Sequence, residues 1–226
     1  MAWDSTWDTV FKNQSWGKYP SEPLIRLIAK NFYNKPDHSQ VKILEVGPGT
    51  GANLWYCARE GFSVYGVDGS DTALKIALNR LNSEIPHWKG IMKIGDVCKI
   101  DFNSNMFDCV IDIECLCCLK EKDVSFASSE IYRFLKRGGI FISRAFGKST
   151  IGYGTGKKIE DNTFICDVGP LKNKGSTRFI DLEDIERIYP KEFFKTKSIE
   201  SITYTLENRT QVVQEWIIEK EKNFKN

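Results

Sequence analysis

Residues 43–51 read Ile-Leu-Glu-Val-Gly-Pro-Gly-Thr-Gly, and this stretch limits the possible folds more than any other part of the chain. The apolar run from Val41 to Val46 predicts a buried strand that leads directly into three glycines at alternate positions. A helix-forming stretch, Ala52 to Glu60, follows them. Because glycine lacks a Cβ atom, the backbone can turn tightly there and a ligand can lie against it. A strand, a glycine turn and a helix predict the first unit of a doubly wound α/β fold.

The composition is that of a soluble globular protein and argues against several classes of function. With 226 residues, 41% hydrophobic and 27% charged, the chain has the size of one domain with a sizeable core. The net charge of +2 is spread along the chain and gives no electrostatic reason to expect a nucleic-acid partner. No apolar run is long enough to cross a bilayer, and the first residues form no secretory signal. We therefore expect a cytoplasmic monomer or homodimer, with no nucleic-acid or membrane partner.

The seven cysteines suit reduced thiols in a cytoplasmic protein, because most of them fall inside predicted strands or helices. Cys115, Cys117 and Cys118 form the densest group. No second group of cysteines or histidines completes the four ligands of a zinc site, so we expect small side chains near a core and no metal.

Strands and helices alternate from residue 41 to about residue 145. After the first unit, the patterns predict strands at Ser63–Val67, Ile91–Ile94, Phe107–Ile113 and Gly139–Arg144. Helices are predicted after an N-cap at Ser70 or Asp71, at Ser125–Lys136 before a glycine C-cap, and at Leu182–Ile188 after Asp181. Near the C-terminus, alternation predicts an antiparallel strand pair at Lys197–Leu206 and Thr210–Glu219. The predicted fold class is therefore α/β, with a doubly wound, mostly parallel seven-stranded sheet and helices on both faces.

Acidic residues stand at the predicted carboxyl ends of three strands, where ligands bind in open α/β sheets. Glu45 precedes the first glycine, where a carboxylate balances a positively charged ligand group. Asp68 ends the second strand and is suited to accept hydrogen bonds from two ribose hydroxyls, while Asp96 ends the third and is suited to an exocyclic amine. The glycine spacing alone also satisfies the relaxed dinucleotide fingerprint, so an NAD-dependent oxidoreductase stays open at this point.

Five short segments together resemble the motifs of class I S-adenosylmethionine-dependent methyltransferases. Glu45–Gly51, Val67–Ser70 and Gly95–Val97 are similar to the first three motifs, Phe107–Ile111 to the fourth strand, and Leu135–Gly139 to the turn before the fifth. The resemblance covers about residues 41–146 and implies a Rossmann-like fold, S-adenosyl-L-methionine as cofactor and S-adenosyl-L-homocysteine as product. It says nothing specific about the methyl acceptor, because this fold hosts many acceptors.

We expect one methyltransferase domain spanning residues 1–226, in which residues 41–146 form the cofactor-binding core that the resemblance covers. Composition and pattern add residues 1–40 as an aromatic lid or cap, 147–180 as a substrate loop that could include a hairpin, and 181–226 as a C-terminal helix and strands. The aromatic start has two interpretations, a lid over the cofactor or a helix that covers the sheet edge. Carried over to this sequence, the expected cofactor-binding residues are Trp16, Tyr19, Glu45, Gly47, Gly49, Gly51, Asp68, Gly69, Ser70, Asp96, Val97 and Ile113.

Position in the sequence alone suggests which residues contact the methyl acceptor. Asp112 and Glu114 follow the fourth strand and are the candidates for a catalytic base. Arg144, Tyr153 and Arg178 are the candidates for binding the acceptor.

We expect methyl transfer to an oxygen or nitrogen of a small molecule: a sugar, a phosphorylated alcohol or an amine of a bacterial surface-polysaccharide or secondary-metabolite pathway. The alternatives are the NAD-dependent oxidoreductase and a methyltransferase acting on protein or nucleic acid. A cofactor site that serves only as a sensor also stays open.

Overall fold

The computed structural model describes residues 3–206 and 211–223, which fold around a seven-stranded sheet. The helices are α1 (Thr6–Asn13), α2 (Glu22–Phe32), α3 (Ala52–Arg59), α4 (Asp71–Glu84), α5 (Glu121–Phe134) and α6 (Leu182–Ile188). The strands of the large sheet are β1 (Lys42–Val46), β2 (Ser63–Asp68), β3 (Gly90–Ile94), β4 (Phe107–Ile113), β5 (Leu135–Phe146), β9 (Phe194–Leu206) and β10 (Gln211–Lys222). A small sheet contains β6 (Lys157–Glu160), β7 (Thr163–Ile165) and β8 (Ser176–Arg178).

The strand order of the large sheet is β3-β2-β1-β4-β5-β10-β9. Strands β1 to β5 pair in parallel, and β10 runs antiparallel to both of its neighbours. The chain order reverses direction beside β1, between its neighbours β2 and β4, so the ends of β1 and β4 diverge into a crevice. The predicted fold class is confirmed, including the antiparallel pair near the C-terminus.

Both faces of the sheet are buried, which is why Ile43, Leu44 and Val46 of β1 are all apolar. Successive side chains of a strand point to opposite faces. Ile43 packs with α2 and α3, including Leu27 and Leu54. Its neighbour Leu44 packs on the other face, in the cluster that includes Ile131 of α5. Two hydrophobic layers thus hold the sheet rigid beneath the strand ends that form the site.

The N-cap residues that the sequence predicts for two helices are confirmed. Ser70 is the N-cap of α4, and its hydroxyl accepts a hydrogen bond from the Ala73 amide at 3.1 Å. Asp181 caps α6 through a reciprocal pair of bonds with Asp184. In both cases the side chain satisfies amides that the first helical turn leaves unpaired.

The predicted boundary between the fifth helix and the fifth strand is wrong. Helix α5 ends at Phe134, and Leu135 is already extended and buried against the sheet. Leu135 pairs with Phe107 and Ile140 with Cys109, so residues 136–139 bulge out of the strand. Burial of Leu135 therefore prevails over the helical pattern, and the glycines shape a bulge instead of a helix C-cap.

The segment 147–180, expected to be a long loop, contains the three antiparallel strands β6, β7 and β8. These strands are only three or four residues long, which is too short to give a clear period-2 pattern. At the C-terminus β9 starts at Phe194, three residues before the predicted strand. The start of the other predicted strand, Thr210, and the turn before it lie outside the described residues.

The first forty residues fold onto the core. Helix α1 reaches α4 through Asp8, whose Oδ1 accepts hydrogen bonds from the Ser70 hydroxyl at 2.7 Å and the Thr72 amide at 3.2 Å. Helix α2 buries Leu24, Leu27 and neighbouring apolar residues against the sheet. In the part of the chain that the structure describes, no helix combines the length and apolarity needed to cross a membrane.

Gly51 allows α3 and α4 to approach each other closely at the sheet. Its φ of +81° is a left-handed conformation, and a Cβ atom built there would lie 2.7 Å from the Cβ of Ala77. Gly61 offers a matched comparison, because its φ is +88° but the nearest atom, in His38, would lie 3.6 Å away.

We therefore expect Gly51→Ala to lower the free energy of unfolding by about 2–4 kcal/mol, since backbone strain adds to overpacking. Gly61→Ala is expected to cost about 1 kcal/mol, from backbone strain alone. Urea denaturation of both variants measures the difference. Equal losses would show that the contact with Ala77 is not a constraint on the packing of these helices.

Candidate functional site

A cavity of about 250 Å³ lies at the carboxyl ends of the central strands, between the glycine loop and the N-terminal segment. Eleven of the residues predicted for the site line it: Trp16, Tyr19, Glu45, Gly47, Gly49, Asp68, Gly69, Val97, Ile113, Glu114 and Arg144. Six others do not line it: Gly51, Ser70, Asp96, Asp112, Tyr153 and Arg178. The crevice of the doubly wound sheet is thus where most of the predicted residues converge.

The glycine loop approaches the cavity with its backbone because side chains are excluded there. Gly47 has φ +65°, and a Cβ atom built on it would collide with the Cys115 side chain. Gly49 has φ +53°, and its Cβ atom would lie 3.2 Å from the ring of Phe11. The loop is therefore held between the turn after β4 and helix α1.

Asp68 fixes the geometry of the loop from the end of β2. Its Oδ2 accepts a hydrogen bond from the Gly49 amide at 2.8 Å, and its Oδ1 accepts one from the Ser70 amide at 2.8 Å. Burial raises the pKa of Asp68, and these backbone donors oppose the shift. The carboxylate is thus an acceptor held between two loops at the wall of the cavity.

Glu45 is buried at the end of β1, with 1% of its surface exposed. Its Oε1 accepts a hydrogen bond from the Asn53 amide group at 2.6 Å. Its Oε2 has no hydrogen-bond partner among the described residues. Burial raises the pKa of Glu45 to about 8, because the ionised form loses its hydration. Such an orphaned oxygen in a cavity wall is suited to a donor group of a ligand.

The two candidate bases after β4 have different surroundings. Asp112 is buried, and its carboxylate accepts hydrogen bonds from the amides of Cys115 (3.0 Å) and Leu116 (2.9 Å) and from the Ser143 hydroxyl (2.7 Å). Burial raises its pKa to about 6. These bonds hold the turn behind the cavity, whereas the side chain of Glu114 lines the cavity itself.

Arg144 links Glu114 to strand β10, which the sequence analysis did not assign to the site. Its Nη2 lies 3.2 Å from Oε1 of Glu114 and also forms an ion pair with Glu215 of β10. The residue is in β5, two positions before the end of the strand, because β5 extends further than predicted. The pairing of β5 with β10 therefore brings a second carboxylate to the acceptor end.

The remaining predicted residues have structural partners elsewhere. Ser70 caps α4, as described above. The Oδ1 of Asp96 accepts a hydrogen bond from the Cys98 amide at 2.9 Å, and its side chain lines a neighbouring cavity. The Tyr153 hydroxyl donates to Asn162 at 3.1 Å. Arg178 is 2% exposed and forms ion pairs with Glu160 and Glu121.

The sequence interpretation missed Phe11, an aromatic residue of the wall. It noticed the tryptophans near the N-terminus and the cysteines after the fourth strand but assigned no cofactor contact to Trp3, which packs directly on Gly69, or to Trp7, Cys115 and Cys118. The crowding of aromatic residues near the N-terminus was the available signal, but it did not tell which rings face the cavity. Within residues 3–206 and 211–223, no group of three or more histidine, cysteine or acidic side chains is positioned to hold a metal ion.

Comparison with known proteins gives the family to which this site belongs. Residues 44–143 match the methyltransferase domain family. Phosphoethanolamine N-methyltransferase 2 of Caenorhabditis elegans is 34% identical over 113 residues, which are 50% of this chain and 24% of that protein. The tRNA N(3)-methylcytidine methyltransferase Mettl2 of Drosophila melanogaster is 23% identical over 192 residues, 75% of this chain and 55% of that protein. The chain thus spans only part of the length of these curated relatives.

A solved structure agrees on the fold. A SAM-dependent methyltransferase of Methanosarcina mazei superposes with a TM-score of 0.74 at 18% identity, covering 88% of this chain and 98% of that one. The family match lies inside the stretch whose motifs carry the sequence resemblance, and the strand order and the glycine crevice are those of the same fold. Residues 44–143 are therefore identified as a methyltransferase domain, and the chain has the Rossmann-like fold of S-adenosylmethionine-dependent methyltransferases.

Proposed function

We propose that this protein transfers the methyl group of S-adenosylmethionine to an oxygen or nitrogen of a small molecule. One observation carries the proposal: the glycine loop, Glu45 and Asp68 line the same cavity as the charged pair Glu114–Arg144. The part of the cavity that would hold the cofactor is therefore continuous with the part that would hold the methyl acceptor. The match to a phosphoethanolamine N-methyltransferase supports a small acceptor. The identity of the acceptor and a cytoplasmic location stay predictions.

The residues at the cofactor end fit S-adenosylmethionine. The loop at Gly47 and Gly49 leaves no room for side chains but offers backbone to a ligand. The orphaned Oε2 of Glu45 is suited to the amino group of the methionine part. Asp68 would accept from the ribose hydroxyls, since each carboxylate oxygen accepts more than one hydrogen bond. Val97 and Ile113 would contribute apolar contacts along the same wall.

When bound, the cofactor supplies a methyl group that its sulfonium charge already activates. The chain's own contribution is to hold the acceptor in line with that methyl group and to exclude water, an effect worth up to about 7–11 kcal/mol. Glu114 is the candidate to take a proton from the acceptor. Burial raises the pKa of Glu114, and Arg144 opposes the shift. Asp112 acts indirectly, because it holds the turn that carries Glu114 and Cys115.

A nucleobase acceptor is the second candidate, favoured by the match to a tRNA methyltransferase over 192 residues. The acidic lining of the cavity, with Asp4, Glu45, Asp68 and Glu114, disfavours a polyanion at the reacting end. Formation of S-adenosylhomocysteine with unmodified tRNA, and none with small acceptors, would replace the first proposal by this one.

Binding of S-adenosylhomocysteine tests the cofactor end. We expect Asp68→Asn to weaken binding at least tenfold, about 1.4 kcal/mol, because the variant loses the charged acceptor for the ribose hydroxyls. Isothermal titration calorimetry measures the change. The control is Asp71→Asn, because Asp71 is an exposed carboxylate at the start of α4. Unchanged affinity in Asp68→Asn would remove the proposed role of this carboxylate.

Glu45 provides a test based on pH. Because its folded-state pKa of about 8 lies above the ordinary value of 4.5, the folded state binds the proton more tightly than the unfolded state. Its contribution to stability is therefore greatest below about pH 4.5 and decreases up to about pH 8, at up to about 1.4 kcal/mol per pH unit.

The free energy of unfolding of the wild type minus that of Glu45→Gln should thus decrease as the pH rises from 5 to 8. Urea denaturation at several pH values measures this difference. Glu192→Gln, at an exposed position, should follow the wild-type profile. Parallel profiles for wild type and Glu45→Gln would contradict the raised pKa.

A further inference from the structure

The lining of the cavity carries an excess of negative charge. Three carboxylates line it, on Asp4, Asp68 and Glu114, against the single guanidinium of Arg144 among the described lining residues, while the fourth acidic side chain, Glu45, is mostly protonated at neutral pH because burial raises its pKa to about 8. In a partly enclosed site such charges are poorly screened by solvent. An anionic acceptor would be repelled, and a neutral alcohol would gain nothing from the excess charge. A cation would be attracted.

The one guanidinium at the acceptor end is already neutralised. Arg144 lies 3.2 Å from Glu114 and also pairs with Glu215, which is 4% exposed. Two carboxylates therefore surround one positive charge, and Oε2 of Glu215 still has no partner among the described residues. The Arg144 side chain is better suited to positioning Glu114 than to binding an acidic acceptor. This placement speaks against the acceptor-binding role expected for Arg144 from sequence.

Aromatic rings face the same cavity from the N-terminal segment. Trp7, Phe11 and Trp16 all line it, and their ring centroids are 5.4–6.0 Å apart. Aromatic faces attract cations, and clusters of such rings recognise ammonium groups. Trp16 already makes one such contact, because Nζ of Lys174 lies 5.1 Å from its ring centroid. The wall is thus chemically suited to a positively charged nitrogen.

Glu114, which lines the same cavity as these rings, has an unusual backbone conformation. Its φ is +62°, which side chains other than glycine rarely adopt. The turn is fixed by the hydrogen bond from the Glu114 amide to the Arg144 carbonyl at 3.0 Å. Strained backbone of this kind is typical of functional sites.

We infer that the methyl acceptor is an amine that arrives as an ammonium cation, with the carboxylate of Glu114 as its counter-ion and the rings of Trp7, Phe11 and Trp16 as its apolar cage. This inference rests on the proposed function and narrows it to N-methylation. Before transfer the ammonium gives one proton to Glu114. The nitrogen lone pair then forms the N–C bond, the S–C bond breaks with its electron pair on sulfur, and Glu114 later releases the proton to solvent.

The test compares two ligands of nearly the same shape that differ in charge. Choline carries a quaternary ammonium group, and 3,3-dimethyl-1-butanol is its neutral isostere. Each is titrated calorimetrically into the complex of the full chain with S-adenosylhomocysteine. We expect choline to bind at least tenfold more tightly. Glu114→Gln should lose at least tenfold in choline affinity while S-adenosylhomocysteine affinity stays unchanged, and Glu192→Gln should retain both affinities.

Equal affinities for the two ligands, or no choline binding by a wild-type protein that binds S-adenosylhomocysteine, would overturn the inference alone. Absence of S-adenosylhomocysteine binding to folded wild-type protein would overturn the proposed function, and the inference with it. The wild-type comparison decides the matter even where Glu114→Gln does not fold.

Discussion

The two hydrogen bonds of the Asp68 carboxylate are the contacts on which the rest of the site depends. They hold the amide of Gly49 in the glycine loop and the amide of Ser70 at the start of α4, each at 2.8 Å. The Ser70 hydroxyl in turn donates to Asp8, which fastens α1 over the cavity. One buried carboxylate therefore connects the glycine loop to the N-terminal segment, and both line the cavity.

The acceptor end is organised by the sheet rather than by the glycine loop. Antiparallel pairing of β10 with β5 brings Glu215 to Arg144, and Arg144 pairs with Glu114 in the cavity that the aromatic rings also line. Two carboxylates on one guanidinium leave a negative charge at this end. That charge, in a cavity shared with a sulfonium cofactor, is the physical basis for expecting an amine acceptor.

The part of the cavity around the glycine loop could be predicted from sequence because its signals are local. Asp68 and Glu45 follow buried strands, and glycines are required where the loop meets Phe11 and Cys115. A cap such as Ser70 is also recognisable from its neighbours alone.

The acceptor half could not be predicted in the same way, because its contacts join distant parts of the chain. Arg144 lines the cavity, whereas Arg178 is buried in ion pairs outside it. The ion-pair partners of both arginines lie on other strands or helices, so position along the sequence could not tell the two cases apart. The start of β5 was misassigned because burial of Leu135, a tertiary effect, prevails over the helical pattern of the preceding residues.

A crystal structure of the complex with S-adenosylhomocysteine tests the central claim most directly. The account predicts the ribose hydroxyls at the Asp68 carboxylate, the amino group near Oε2 of Glu45, and the sulfur atom facing Glu114. A ligand that binds only in the neighbouring cavity, away from the glycine loop, or one that leaves Asp68 untouched, would contradict it.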